Sequence, residues 1–305
     1  MHTSRRKFLK TSALSVAGAT LFSKGLFANN FRDEYCGVQL YSVRDDMKAD
    51  AMGTLKAISG MGYKFVEHAN YVNRKFYGWT APEFKKVLDD LGLKMYSGHT
   101  VMGTTAWDAT KNDFSDAWKY TVEDAATCGQ KYVISPWLDV SLRKDHDGLK
   151  KYMEVFNKSG ELCKKSGMKF GYHNHDFEFS QKLNGEAVYD IILQNTDPAL
   201  VAQQLDIGNM YNGGAKALDI MKKYPGRFES MHVKDEIKGD KKTEMGWEYQ
   251  STILGKGIIP VKEVVDLGRS SGGTTLFIIE QESYQGLKPV DCVKEDLAVM
   301  KGWGF

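Results

Sequence analysis

The sequence predicts a single-domain α/β protein of the (β/α)8 TIM-barrel class. Three observations carry that expectation. Short apolar runs alternate with amphipathic runs eight times after residue 33. Successive apolar runs start about 25 to 45 residues apart, enough for a helical crossover between parallel strands. Several helical runs also stop at a glycine just before the next apolar run, as in Met61-Gly62-Tyr63, Leu91-Gly92-Leu93 and Ser166-Gly167-Met168. Glycine there accepts the left-handed cap that ends a helix. The competing open, doubly wound sheet usually carries a glycine-rich phosphate loop after its first strand. Here the first strand runs into Tyr41-Ser42-Val43-Arg44-Asp45 instead.

In chain order, Cys36–Ser42 is expected as strand one, with a helix over Met47–Gly60. Tyr63–His68 is strand two, followed by a helix over Pro82–Leu91, whose proline sits near the start, where its missing N–H costs nothing. Leu93–His99 is strand three, with a helix over Asp113–Cys128. Lys131–Pro136 is strand four, with a long helix over Asp145–Ser166. Met168–His173 is strand five, with a helix over Glu186–Gln194. Leu200–Asp206 is strand six, with a helix over Ala215–Tyr224. Phe228–Lys234 is strand seven, and a long polar loop leads to Pro260 and a helix over Val261–Ser270. Thr275–Gln281 is strand eight, and Val290–Lys301 closes the chain as a helix.

The 305 residues are 42% hydrophobic and 26% charged, ample for one large core. A formal net charge of +2 gives no field that would steer the chain to nucleic acid or an anionic membrane. Cys36, Cys128, Cys163 and Cys292 form no CxxC pair, so they read as buried thiols rather than a zinc ribbon or redox motif. Ser4-Arg5-Arg6-Lys7-Phe8-Leu9-Lys10 precedes a modestly apolar stretch from Ser12 to Phe22. That order describes an export signal, and the paired arginines indicate the twin-arginine type. Residues 1–28 are therefore expected to engage the twin-arginine machinery and to place the barrel, residues 33–305, in the periplasm. The stretch is too short and too rich in small residues for a stable membrane span.

Function is legible at the ends of the expected strands, where a barrel builds its active site. Strand two ends Glu67-His68 and strand three ends His99. Strand five ends His173-Asn174-His175 and strand six ends Asp206. Strand seven holds His232 and Lys234, and strand eight ends at Glu280. Of the histidines beyond the signal, only His146 lies away from a strand end. Titratable groups buried together at a barrel mouth are costly unless something neutralises them. His173, Asp206, His232 and Glu280 are therefore expected to hold one divalent metal. The mixed nitrogen and oxygen set suits Mn, Zn, Co or Fe better than Mg or Ca. Such a site favours proton abstraction alpha to a carbonyl.

These residues, with Gln39-Leu40-Tyr41-Ser42-Val43-Arg44, Leu205-Asp206-Ile207-Gly208-Asn209, His232-Val233-Lys234-Asp235 and Gly255-Lys256-Gly257, resemble the xylose-isomerase-like barrel superfamily. That superfamily includes sugar isomerases and epimerases of the tagatose-epimerase type, inosose dehydratases and barrel-type abasic-site endonucleases. The resemblance implies that Asp206, His232 and Glu280 are metal ligands and that Glu280 also handles a proton. The epimerases place a glutamate on strand five, where this chain has His173 as inosose-dehydratase-like members do. Glu178 or His175 is then expected to replace the missing base, with Glu178 folding back over the site. Asn209 stands where the epimerases have a histidine, and Lys234 resembles a substrate-facing lysine of the dehydratases. Glu67, His99, Asn209 and Lys234 are expected to touch substrate.

The leading expectation is a metal-dependent isomerase or epimerase of an unphosphorylated keto sugar or polyol. The alternative is a lyase, dehydratase or hydratase acting on a keto sugar or keto-glycoside, and a non-catalytic sugar-binding protein is a third reading. Phosphodiester cleavage fits poorly with near-neutral charge and the lack of a basic groove signal. Trp79, Trp107, Trp137 and Trp247 fall in loops after strands two, three, four and seven, where they either stack on a sugar or pack the loops down. Oligomeric state is open.

Overall fold

In a computed structural model of the protein, residues 36–239 and 248–305 are described; the segment expected to be an export signal and Trp247 lie outside them. Eight strands supply the frame: β1 (Cys36–Gln39), β2 (Phe65–His68), β3 (Lys94–His99), β4 (Tyr132–Ser135), β5 (Lys169–His173), β6 (Val201–Asp206), β7 (Ser230–Val233) and β8 (Leu276–Ile279). They are hydrogen-bonded in chain order, all parallel, and β8 returns to β1 to close the barrel. A main helix follows each strand: α1 (Arg44–Met61), α2 (Ala81–Asp90), α3 (Asp116–Thr127), α4 (His146–Lys164), α5 (Val188–Asn195), α6 (Ala217–Lys223), α7 (Val261–Leu267) and α8 (Pro289–Gly302). This is the (β/α)8 class read from the sequence.

Side chains alternate across each strand. One set of buried residues, Phe65, Tyr132, Ile134, Ala202, Leu276 and Ile278, comes from strands around the barrel and packs as one cluster, which only the lumen allows. The lumen is narrow enough that a Cβ on Gly37 would lie 2.2 Å from the Phe65 ring, so glycine makes room for that ring. The outward residues pack under the helices in two larger clusters. One step further along the inward rows, towards the strand ends, the residues turn polar: Gln39, Glu67, Ser97, His173, Gln204, Asp206, Ser230 and His232 are all buried. Strand register sets Gln39 beside Glu67, Glu67 beside Ser97, His173 beside Gln204, and Asp206 beside His232. An apolar plug beneath thus supports a polar layer above it.

Several helices start later than the sequence suggests, and the physical reason is local. The Ser115 side chain accepts the Trp118 N–H, so α3 begins after it, and Asp113-Phe114 pairs with Trp107-Asp108 instead. Glu186-Ala187 likewise pairs with Lys182-Leu183 before α5. The expected polar loop after β7 contains a hairpin of Asp235–Lys238 with Tyr249–Thr252. α1 breaks at Asp50, whose carboxylate accepts the Gly53 N–H at 2.9 Å and restarts the helix. All four cysteines are buried.

A buried carboxyl on the outer layer yields a stability test. Asp296 on α8 accepts the Leu254 N–H at 2.9 Å through one oxygen, and the other has no hydrogen-bond partner. Burial pushes its carboxyl up to about 7 from an ordinary 3.8. Between those values the folded chain holds a proton that the unfolded chain has lost. Stability therefore falls as pH rises through that window, and the loss is complete above it. Asp296→Asn keeps the acceptor and removes the charge. Its thermal midpoint, relative to the parent chain, is expected to be several degrees higher at pH 8 than at pH 5. Equal shifts at both pH values would contradict this.

Candidate metal centre

One donor atom from each of His173, Asp206, His232 and Glu280 lies within 4.8 Å of the others, and all four residues are buried. The sequence places them at the ends of β5 to β8, and barrel closure brings those ends to one point. Each is held by a partner that fixes which atom faces the centre. Asp206 caps the short helix Ile207–Asn212, accepting the Asn209 N–H at 2.6 Å through Oδ1. Its Oδ2 makes no hydrogen bond. It lies 3.2 Å from Lys234 Nζ, 3.6 Å from His232 Nδ1 and 4.0 Å from His173 Nε2. The capping role that a lone strand-end aspartate suggests thus uses one oxygen and turns the second, paired with the Lys234 ammonium, towards the two imidazoles.

The imidazoles are oriented in the same way. His173 Nδ1 donates to Gln204 Oε1 at 3.0 Å, which leaves the Nε2 lone pair facing Asp206. His232 Nε2 donates to Glu67 Oε1 at 2.6 Å, which leaves Nδ1 facing Glu280 at 3.0 Å. A carboxylate or amide behind a ligating histidine fixes its tautomer and strengthens it as a ligand. Burial alone would lower His232, but Glu280 and Glu67 hold it well above the ordinary value. His173 is held well below it, by burial and then by the neighbouring rings of His232 and His99.

Glu67 is the hub of this support. It accepts from Gln39 Nε2 at 2.8 Å, Gln204 Nε2 at 2.9 Å, His232 Nε2 at 2.6 Å and the Ser97 hydroxyl, with His99 Nε2 at 3.1 Å. Burial would raise its carboxyl, but His99 and His232 hold it well below the usual carboxylate range. The expectation that Glu67 touches substrate is corrected here: both oxygens are consumed beneath the ligands, and none of its surface is exposed. His68 alternates to the other side of β2, where its ring meets Phe76 edge-on at 4.8 Å in the outer layer.

Lys234 also differs from expectation. Its ammonium is buried and sits 2.7 Å from Glu282 Oε2, 2.9 Å from Glu280 Oε2 and 3.3 Å from Asn209 Oδ1, besides Asp206. It holds carboxylates in place rather than lining the pocket. Burial would lower it, and Asp206, Glu280 and Glu282 instead keep it well above the ordinary lysine value. Its stem crosses Gly208, where a Cβ would lie 2.5 Å from Lys234 Cδ. The glycine in Leu205-Asp206-Ile207-Gly208-Asn209 is therefore a gap for that lysine. Asp235, next in the chain, acts elsewhere. Its carboxylate accepts the N–H groups of Gly255, Gly257 and Ile259, tying the Gly255-Lys256-Gly257 loop to the end of β7.

Glu178 does not fold back over the centre. It lies in the outer layer, accepting the Tyr172 hydroxyl and the His175 N–H, the latter at 2.9 Å, and burial pushes its carboxyl up to about 7. Asn174 clamps β6, since its side chain bonds both the N–H and the C=O of Asp206. His175 does face the mouth. A pocket of about 700 Å³ above the cluster is lined by His99, His173, His175, Trp137, Asn209, Glu280 and Glu282, with Tyr41, Asn70, Val72 and Val101 among the rest. His175 packs edge-on to Trp137 at 5.3 Å, and its Nδ1 has no hydrogen-bond partner. Burial takes it down to about 4. Trp79 and Trp107 pack against Phe84 and Phe114 and do not line this pocket.

The residues present fit a divalent ion. Glu67, Asp206 and Glu280 are buried carboxylates, and Lys234 is the one buried lysine among the described residues. Asp206 Oδ2 is buried, and His173 Nε2 and His232 Nδ1 converge on it. A family model described as xylose isomerase-like TIM barrel matches residues 55–303. The chain belongs to that family. A stretch of this family member is 32% identical over 119 residues to an inosose dehydratase of Clostridium perfringens, covering 37% of this chain and 39% of that relative's length. The match thus spans about two fifths of the curated relative. A sugar phosphate isomerase/epimerase structure from Parabacteroides distasonis is 27% identical with a TM-score of 0.72, covering 87% of this chain and 97% of that one. A structure of IolI protein with a bound zinc atom has the same fold at 13% identity, with a TM-score of 0.68 over 88% and 97% of the two chains.

Proposed function

We propose that the chain is a divalent-metal-dependent carbon–oxygen lyase that acts on an unphosphorylated keto sugar or keto-glycoside. One observation carries the choice of lyase: among the described residues the pocket has no pair of carboxylates on opposite walls. Glu178, the candidate second base, is turned into the outer layer. An epimerase must take a proton from one face and return it to the other, whereas elimination needs a base on one face only. His173, Asp206, His232 and Glu280 would hold the ion, which supplies a Lewis acid that polarises the sugar carbonyl and acidifies the adjacent C–H.

In this reading His175, which lines the pocket, takes the alpha proton. The carbon–oxygen bond at the beta position then breaks, and Glu282, which lines the pocket two residues beyond Glu280, gives a proton to the departing oxygen. His99 and Asn209 hold hydroxyls, and Trp137 covers a ring face. Lys234 positions Glu280 and Glu282. The name of the Clostridium relative agrees with elimination. A second reading, isomerisation of a keto sugar through the same alpha proton, is favoured by the likeness to the Parabacteroides structure. Metal-loaded protein incubated with keto sugars in heavy water separates the two. An ultraviolet-absorbing unsaturated product supports the lyase, and an isomer changed in mass only by deuterium supports the isomerase. Retained metal with no deuterium uptake from any substrate would sink both.

The placement in the periplasm rests on Arg5 and Arg6. The chain produced with its own N-terminus is expected in the periplasmic fraction. Arg5→Lys/Arg6→Lys is expected to hold most of it in the cytoplasm. Unchanged fractionation would refute twin-arginine export. Among the described residues no helix is long and apolar enough to cross a membrane.

A further inference from the structure

We infer that the pocket binds a two-ring ligand, with one sugar ring over the metal cluster and a second flat ring on a separate subsite walled by Tyr41. This rests on the carbohydrate chemistry proposed above and specifies the substrate class. The first support is size. A hexose has about twelve non-hydrogen atoms, and even at a whole water molecule's share of roughly 30 Å³ each they fill only about 360 Å³. The pocket above the cluster holds about 700 Å³.

The second support is continuity. A neighbouring cavity of about 380 Å³ is lined by Leu40, Arg44, Met47, Lys48 and Tyr77, and it shares Tyr41, Ala69 and Asn70 with the main pocket. The residues common to both are a flat ring, a methyl group and a short amide. The two spaces therefore adjoin at a wall that contains no bulky aliphatic chain.

The third support is the character of the rim. Tyr41, Val72 and Val101 are 42%, 59% and 50% exposed, and all three border the main pocket. Large apolar side chains left open at one mouth mark a surface that a ligand covers. Tyr41 is also fixed in place. The Arg44 guanidinium lies 4.6 Å from its ring centroid and donates to the Tyr41 carbonyl at 3.1 Å. The same group bonds the Tyr284 hydroxyl at 2.8 Å and the Glu282 carbonyl at 3.2 Å. On the other side, the Tyr77 hydroxyl accepts the Ala69 N–H at 3.0 Å and holds the wall. A ring immobilised before binding loses little entropy when a second ring packs on it. The subsite therefore suits the C–H face of a second sugar or an aryl group, joined to the first ring through the glycosidic oxygen.

Titration calorimetry on the metal-loaded full chain tests this with methyl β-glucoside as the one-ring probe and cellobiose and phenyl β-glucoside as two-ring probes. The second pair also distinguishes a sugar from an aryl group as the second ring. At least one two-ring probe is expected to bind about tenfold more tightly than methyl β-glucoside, as one good aromatic contact supplies. Tyr41→Ala is expected to reduce that ratio to below about threefold, and Tyr41→Trp to keep it. If methyl β-glucoside binds and neither two-ring probe gains on it, or if Tyr41→Ala keeps the ratio, the subsite is wrong and the carbohydrate reading stands. If no probe binds, the subsite is wrong, and the keto-sugar reading is judged by the heavy-water incubation.

Discussion

Asp206→Asn is expected to leave a folded barrel that binds divalent metal at least about a hundredfold more weakly and turns over no substrate. The substitution isolates one atom. An asparagine oxygen still accepts the Asn209 N–H, so the helix that follows β6 stays capped. Lys234 keeps Glu280 and Glu282, so its charge is not stranded. What is lost is Oδ2, the buried oxygen that no hydrogen bond satisfies. An amide nitrogen in its place brings hydrogens towards His173 Nε2 and His232 Nδ1, where a cation is needed. Circular dichroism checks the fold and competition with a coloured chelator measures the metal. An unchanged affinity would mean that Asp206 only caps.

The second large effect is expected at a residue that meets neither metal nor substrate. Glu67→Gln keeps shape but replaces one acceptor oxygen by a donor in a place where Gln39, Ser97, Gln204, His99 and His232 all point hydrogens. At least one pair of hydrogens must then face each other in a dry interior. Breaking a buried charge network of this kind costs about 3 kcal/mol. His232 also loses the carboxylate that fixes its tautomer, so metal affinity is expected to fall about 10- to 100-fold. Denaturant unfolding of the metal-free protein reads the first effect, and chelator competition reads the second. If both stay at parent values, Glu67 is a bystander.

The fold is legible because the barrel repeats one physical pattern eight times. Every strand lies within three residues of its expected bounds, since an apolar run bounded by glycine or a polar turn marks it from both sides. The hairpins are not legible. Strands of two residues, such as Trp107-Asp108 with Asp113-Phe114, are too short to show any period, and their pairing is decided by turns and packing.

At the site, the ligand set is visible as charged or imidazole side chains interrupting apolar strands, and the structure brings His173, Asp206, His232 and Glu280 together. Position within a strand also tells which face a residue takes, so Glu67 and His68 do not belong together. Alternation sends the first into the lumen and the second out. Past the end of a strand that rule lapses. Nothing in His175-Asp176-Phe177-Glu178 says that His175 turns to the pocket and Glu178 away from it. Gln39 and Gln204 escape notice because a neutral amide in a strand draws no attention, although a polar side chain on an inward row is the signal. Glu282 is hidden by its exposed-looking neighbours, yet it lines the pocket and holds Lys234.

Metal analysis by mass spectrometry, on protein stripped with chelator and then reloaded with Mn, Zn, Co or Fe, addresses the central claim most directly. One ion per chain is expected for the parent, and well under one for His232→Ala and Asp206→Asn under the same washing. A parent that takes up no ion, or variants that both keep a full equivalent, would contradict a centre built from His173, Asp206, His232 and Glu280.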